Sequence, residues 1–251
     1  MEHWLTRTEW LIGPEGLKAL AHSTVLVAGL GGVGAYAAEM LARSGVGHLI
    51  LVDSDVVSLT NRNRQLLALS STIGQPKTKV AATRLKDINP DLCVDVIEAY
   101  LDEDSIPNLL DAYTPTYVVD AIDTLSPKTA FICYCMERRL PLVSAMGAGA
   151  KRDATRIRVV DIAKTFNCPL AAMLRKRLRN RGVTKGFKAV FSEELPDAKA
   201  VIPCEERNKN SQVGTISYLP AVFGCICAQA VVDGILKNST FTNSTTQNQK
   251  E

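Results

Sequence analysis

Apolar residues fall along this chain in short unbroken runs, separated by longer stretches in which they recur every three or four positions. Residues 24–29, 48–52, 117–120 and 141–145 are largely apolar, as strands are when helices cover both faces of their sheet. Residues 93–97 give a further strand. Between them, residues 32–44, 77–88 and 127–138 carry helical periodicity. Asn89 and Pro90 stop the second helix, and Pro127 opens the third, where a missing N–H is tolerated. Residues 1–22 read as a helical lead-in, with Leu5, Leu11, Ile12, Leu17 and Leu20 apolar around Arg7. Strand alternating with helix predicts an α/β fold with a parallel, doubly wound sheet and ligands at the carboxyl ends of its strands.

Past Gly149 the pattern changes. Residues 156–161 alternate as a strand, 169–180 read as a helix, 188–192 as a strand and 193–212 as a polar loop. This predicts a C-terminal extension of antiparallel strands and helices within one domain, residues 1–236, split into a nucleotide-binding half (1–149) and a substrate-facing half (150–236). The Ser/Thr/Asn/Gln-rich tail, 237–251, is expected to be disordered.

The sequence has 251 residues, 46% of them hydrophobic, enough for one large core. Its seven cysteines are scattered, and no basic-then-apolar leader opens the chain, which predicts a cytoplasmic protein with reduced thiols. No CxxC pair offers a structural zinc site, and the CxC pairs Cys133/Cys135 and Cys225/Cys227 lie in apolar runs and are expected in the core. Residues 213–236 are apolar enough to suggest a membrane span. Pro220, Gln229 and Asp233 favour a buried core helix instead, and no span is expected.

The chemistry begins between the first two strands. Gly29, Gly31, Gly32 and Gly34 form a glycine-rich turn into a helix, and Asp53 ends the next strand, the arrangement of a Rossmann-like nucleotide-binding half. Such glycines permit the tight turn, the approach of phosphate to the backbone and close packing of helix on strand; Asp53 suits a ribose hydroxyl. The segment DVVSLTNRNRQ then brings Asp55, Asn61, Arg64 and Gln65, and GQPKTK brings Lys77. A planar guanidinium and a compact ammonium together suit a polyphosphate whose leaving group is pyrophosphate, which a hydride-transfer enzyme has little reason to provide. In VVDAIDT, Asp120 and Asp123 stand at a strand's carboxyl end, where they can either hold magnesium or cap the following turn and helix.

GLGGVG, LVDSDVV, NRNRQ, GQPK and VVDAIDT, in this order, resemble the adenylating superfamily of ubiquitin-activating-type enzymes, which includes the thiamine and molybdopterin sulfur-carrier activators. That resemblance implies ATP bound by Gly29, Gly31, Gly32, Gly34, Asp53, Asp55, Asn61, Arg64, Gln65, Lys77 and Asp123. Arg64, Lys77 and Asp123 would be catalytic, with Asp123 holding Mg2+. Within the superfamily, RTEWLIGPEGLKAL, AIDTLSPKTAFICYC, DIAKTFNCPLAAMLRKRLRNRGV, VFSEE and QVGTISYLPAVFG resemble the tRNA threonylcarbamoyladenosine dehydratases, also described as cysteine-desulfurase-linked.

The dehydratase resemblance implies adenylation of a threonyl carboxylate next to the tRNA anticodon, attack by the carbamoyl group and release of AMP. It further implies a homodimer in which Arg7 reaches a partner's ATP; a solvated helix residue is the alternative for Arg7. A cysteine desulfurase or sulfur-acceptor protein is a candidate partner on the same ground.

Arg175, Lys176, Arg177, Arg179, Arg181, Lys185 and Lys188 form a run of cations without a carboxylate. It could follow a tRNA backbone or simply be a solvated helix face. The resemblance favours tRNA. Two other functions fit less well: an activator of a small sulfur-carrier or ubiquitin-like protein, against which the missing CxxC pairs count, and an NAD-dependent oxidoreductase, against which Arg64, Lys77 and Asp123 count.

Overall fold

The computed structural model describes residues 3–206 and 209–247. A lead helix α1 (Thr6–Ala21) precedes β1 (Thr24–Ala28), α2 (Gly34–Arg43), β2 (His48–Val52), α3 (Lys77–Ile88), β3 (Cys93–Ile97), α4 (Ser105–Leu110), β4 (Tyr117–Asp120), α5 (Leu125–Glu137) and β5 (Leu142–Ala145). The second half adds β6 (Ile157–Asp161), α6 (Pro169–Arg179), β7 (Lys188–Ser192), a hairpin of β8 (Val201–Glu206) and β9 (Lys209–Val213), and α7 (Tyr218–Gln247).

The main sheet runs β3-β2-β1-β4-β5-β7-β6, parallel throughout except for β6, which is antiparallel to β7. Strand order therefore reverses between β1 and β4. Ala28 is in register with both Val52 and Asp120, so the turns that follow β1, β2 and β4 leave the sheet side by side at the crevice where doubly wound folds bind ligands.

Helices cover both faces, which explains the unbroken apolar strands. One core joins Leu30, Ala37, Ala38 and Leu41 to Leu219, Phe223, Cys227, Val231 and Ile235 of α7. Those α7 residues recur every fourth position and make one buried stripe. The helix is long and apolar enough to cross a membrane, yet its stripe lies in the core, as its polar interruptions predict. On the other face Phe131, Cys135, Leu174 and Leu178 of α5 and α6 close the second core. Burying each such side chain is worth roughly 1.5–3 kcal/mol.

Four features differ from expectation. The lead-in breaks at Gly13, whose φ of 73° and ψ of 167° are non-helical, because the residue before Pro14 is driven out of the α region. The helix α4 escapes notice because six residues are too few for a periodicity. The hairpin β8–β9 lies within the segment expected to be loop; its partly exposed Val201, Ile202 and Val213 never form a buried run. The backbone of α7 stays helical to Gln247, through most of the expected disordered tail, since extending an existing helix avoids the cost of nucleation. Residues 248–251 of that tail lie outside the described residues.

Close contact of α7 with α2 depends on Gly224. A Cβ there would stand 2.4 Å from the Val33 carbonyl oxygen and 2.7 Å from Tyr36 Cβ. Gly224→Ala is expected to lower stability by about 1–3 kcal/mol, read as a lower urea midpoint at unchanged slope. An unchanged midpoint would show that the two helices can separate freely.

Candidate active site

The glycine turn is built by close approach. Gly29 has φ +88°, and a Cβ on it would lie 2.8 Å from the carbonyl oxygen of Ala121, just after β4. A Cβ on Gly34 would overlap the Gly29 carbonyl. Neither position tolerates a side chain. Asp53 locks the turn to β2: its Oδ2 accepts from Leu30 N at 2.6 Å and its Oδ1 from Asp55 N at 2.7 Å. Burial pushes the Asp53 carboxyl above the usual range, while the Lys77 charge and the two N–H donors act in the opposite sense. Each oxygen keeps a second lone pair with which to accept a further hydrogen bond.

The segment after Asp53 folds back over the turn. Asn61 accepts from Ser58 N at 3.1 Å in a capping box, and its carbonyl accepts from Gln65 N at 2.8 Å. A Cβ on Gly31 would lie 3.8 Å from Gln65 Nε2, and one on Gly32 would lie 3.3 Å from the Arg64 carbonyl oxygen and 3.0 Å from Pro220 Cβ. Gln65 and Arg64 thus roof the turn beside the start of α7. The Gln65 Oε1 atom is buried and has no hydrogen-bond partner among the described residues. Arg64 donates to the Thr60 carbonyl at 3.1 Å and to Asn63 Oδ1 at 2.8 Å.

Lys77, the first residue of α3, is buried, and its Nζ reaches the exposed Asp55 carboxylate at 2.7 Å. Val57 N and Lys77 N donate to the carbonyls of Gln75 and Asp55, which stitch the two segments together. The structure therefore gathers Gly29, Gly31, Gly32, Gly34, Asp53, Asp55, Asn61, Arg64, Gln65 and Lys77 around one turn.

The two carboxylates after β4 have different fates. Asp120 is fully buried, with Oδ2 2.8 Å from Lys128 Nζ and 2.6 Å from Ser144 Oγ, and Oδ1 accepting from Ile122 N at 3.1 Å. Its oxygens are spent within the protein, so the option of Asp120 as a magnesium ligand is withdrawn. Asp123 is exposed at the rim of the crevice. Sequence reasoning passed over Lys128 and Ser144. A lone lysine in the first turn of the otherwise apolar α5, just after a strand-end carboxylate, was the available signal.

Arg7 lies elsewhere. It is exposed on α1, and Leu5 just before that helix packs against Gly45 past the far end of α2, opposite the glycine turn. The basic run is mostly exposed, Arg177 and Arg181 included, but several of its cations have partners within the protein. Lys176, Arg179 and Lys185 are exposed; Arg177 donates to Ser126 Oγ at 2.7 Å, Arg175 bonds Thr165, and Arg181 forms a fork onto Glu103 at 2.7 and 2.8 Å. Lys188 is turned inward. Its Nζ donates to the Ala230 carbonyl at 3.1 Å above the Tyr117 ring, which corrects its place in a nucleic-acid surface: at the start of β7 it meets α7.

Among the described cysteines, Cys133, Cys135, Cys168 and Cys227 are buried, whereas Cys225 is exposed although expected in the core. Burial pushes the Cys227 thiol up to about 12 and raises Cys133, Cys135 and Cys225 as well, which leaves these thiols poor nucleophiles.

A strand-order reversal, a cradle of glycines, a strand-end carboxylate and two cations on the segments beside the turn define a nucleotide-binding α/β domain equipped for polyphosphate chemistry. Residues 6–250 match the model of the ThiF family, and the chain belongs to that family. It is 42% identical over 246 residues to the tRNA threonylcarbamoyladenosine dehydratase of Bacillus subtilis, covering 95% of this chain and 96% of that one. The solved structure of the E. coli tRNA N6-threonylcarbamoyladenosine dehydratase in complex with ATP is 36% identical, with a TM-score of 0.86 over 93% of this chain and 94% of that one. The same enzyme in complex with AMP superposes with a TM-score of 0.85 over the same shares.

The raised Asp53 carboxyl has a measurable sign. Its folded pKa lies above its unfolded value, so the stability it contributes is full below the unfolded value, about 3.9, and is lost as pH rises through the folded one. Urea midpoints of the wild type relative to Asp53→Asn should fall with rising pH over that window. A difference that stays constant or grows with pH would contradict the assignment.

Proposed function

We propose that this protein is an ATP-dependent, AMP-forming enzyme that cyclises threonylcarbamoyladenosine beside the tRNA anticodon. One observation carries the reading: Gln65, the Arg64 backbone and the Asp53–Asp55–Lys77 chain of contacts surround the glycine turn, in a chain similar along nearly its whole length to enzymes named for this reaction. Asp53 accepts from the ribose of ATP. The backbone of Gly31 and Gly32 leaves room for its phosphates, while Arg64 and Lys77 neutralise charge as pyrophosphate departs.

Magnesium fits the donor set at the rim. The ion is commonly held by one or two carboxylates and substrate phosphates, and Asp123 offers an exposed carboxylate where Asp120 has none to give. When bound, the ion would offset phosphate charge.

The threonyl carboxylate of the substrate attacks the α-phosphorus of ATP, pyrophosphate leaves, and an acyl-adenylate forms. The carbamoyl group of the same nucleoside then attacks the activated carbonyl, closes the ring and expels AMP. Loss of one water from the nucleoside balances conversion of ATP to AMP and pyrophosphate. The nucleophile is intramolecular, so its effective concentration is high without any enzyme thiol. No step calls on sulfur from a cysteine desulfurase. Exposed Lys176, Arg179 and Lys185 are the cations best placed to meet tRNA phosphates in the cytoplasm.

The decisive experiment incubates the protein with ATP, magnesium and tRNA bearing threonylcarbamoyladenosine, then weighs the nucleosides. Loss of one water with equimolar AMP is expected. Arg64→Ala and Asp123→Ala should each cut AMP formation on the order of 10²-fold or more while remaining folded. An unchanged nucleoside, with AMP formed only toward a small carrier protein, would reject the reading.

A homodimer accounts for Arg7. Arg7, Trp10 and Leu11 lie at helical spacing on one face of α1, with exposed Trp4 just before the helix, and Trp10 and Leu11 are 78% and 85% exposed, an apolar stripe suited to a second copy. If Arg7 serves the partner's site, then Arg7→Ala and Asp123→Ala proteins, each inactive, should regain about a quarter of wild-type activity on mixing, because half of randomly assorted dimers carry one intact site of two. No recovery after verified subunit exchange would place Arg7 outside the site.

A further inference from the structure

The buried Lys128 is not explained by stability. It lies in the first turn of α5, where the helix dipole disfavours a cation, and its side chain is fully buried, where an ammonium is costly. Apolar residues could fill such a site at least as stably. Its contacts show what the charge does. Nζ donates to the Ile122 carbonyl at 3.0 Å and lies 2.8 Å from Asp120 Oδ2, while Asp120 Oδ1 accepts from Ile122 N at 3.1 Å. The pair therefore grips both backbone groups of one residue, and that residue immediately precedes Asp123. Its neighbour Ala121 is fixed as well: its N–H donates to the Ala28 carbonyl at 2.8 Å, and its carbonyl stands where a Gly29 side chain would be.

We propose that Lys128 is a positioning residue for adenylation, which together with Asp120 and Ser144 holds the turn of residues 120–123 so that the Asp123 carboxylate is presented at a fixed place beside the glycine turn. This rests on the function proposed above. Lys128 touches neither nucleotide nor substrate; it acts through the Ile122 peptide. Catalytic geometry is steep enough that a misplacement of about 1 Å can cost on the order of 10²-fold in rate.

Lys128→Met alone would strand a buried carboxylate and could unfold the chain, so the test uses Asp120→Asn with Lys128→Met. In that variant the asparagine keeps an acceptor for Ile122 N and a polar group for Ser144, while the ammonium's hold on the Ile122 carbonyl and on the side chain of residue 120 is lost. Thermal midpoint, ATP affinity by calorimetry and AMP formation with modified tRNA are measured, the last per mole of ATP-binding protein.

The expected result is a folded protein with ATP affinity within about threefold of wild type and kcat lowered at least about tenfold. Wild-type kcat per ATP-binding molecule would overturn the inference, as would a loss of ATP affinity equal to the loss of kcat. A wild-type protein inert toward the tRNA would instead reject the function proposed above, independently of the variant.

Discussion

The structure depends on how closely three chain segments meet at Gly29. With no side chain at Gly29 or at Gly34, the end of β1, the start of α2 and the Ala121 carbonyl come together at distances that a Cβ on either glycine would violate. Strand register delivers them to that point, since Ala28 pairs with Val52 on one side and Asp120 on the other. The carboxylate of Asp53 then ties the turn to β2 through Leu30 N. The glycines, Asp53 and the 120–123 turn hang directly from this junction, whereas Asn61, Arg64 and Gln65 reach it from the long connection between β2 and α3.

Around the junction the protein spends polar burial sparingly and for placement. The Asp120–Lys128 pair is fully buried with its hydrogen-bonding capacity largely used, and Lys77 is buried with its head on an exposed carboxylate. Removing one member of such a pair leaves an uncompensated charge, whereas removing both is far milder. Interactions of this kind fix a backbone more than they stabilise a fold. The apolar stripe of α7 and the two cores supply the stability that permits them.

Much of this was legible in the sequence because the relevant signals are local. Unbroken apolar runs marked the parallel strands, and the spacing from Gly29 to Asp53 marked the turn and its carboxylate. What escaped depends on contacts between distant residues. Asp120 and Asp123 look alike in VVDAIDT; only the packing of α5 and β5 against β4 makes one of them structural. Equally, the seven cations from Arg175 to Lys188 read as one patch, but Arg181 is claimed by Glu103 and Lys188 by α7. The hairpin β8–β9 was hidden because exposed strands need no apolar run.

The break at Gly13 and Pro14 divides the lead helix into two parts that answer to different constraints. Beyond it, Gly16 sits against Leu236 of α7 and is bound into the core, while the part before it bears Arg7, Trp10 and Leu11 toward solvent. A continuous helix would make the direction of the outer part a fixed consequence of core packing. The interruption loosens that coupling: the outer segment is held where Leu5 meets Gly45 and Ile12 meets the core, and the surface it presents to solvent can diverge while the interior beneath it stays the same.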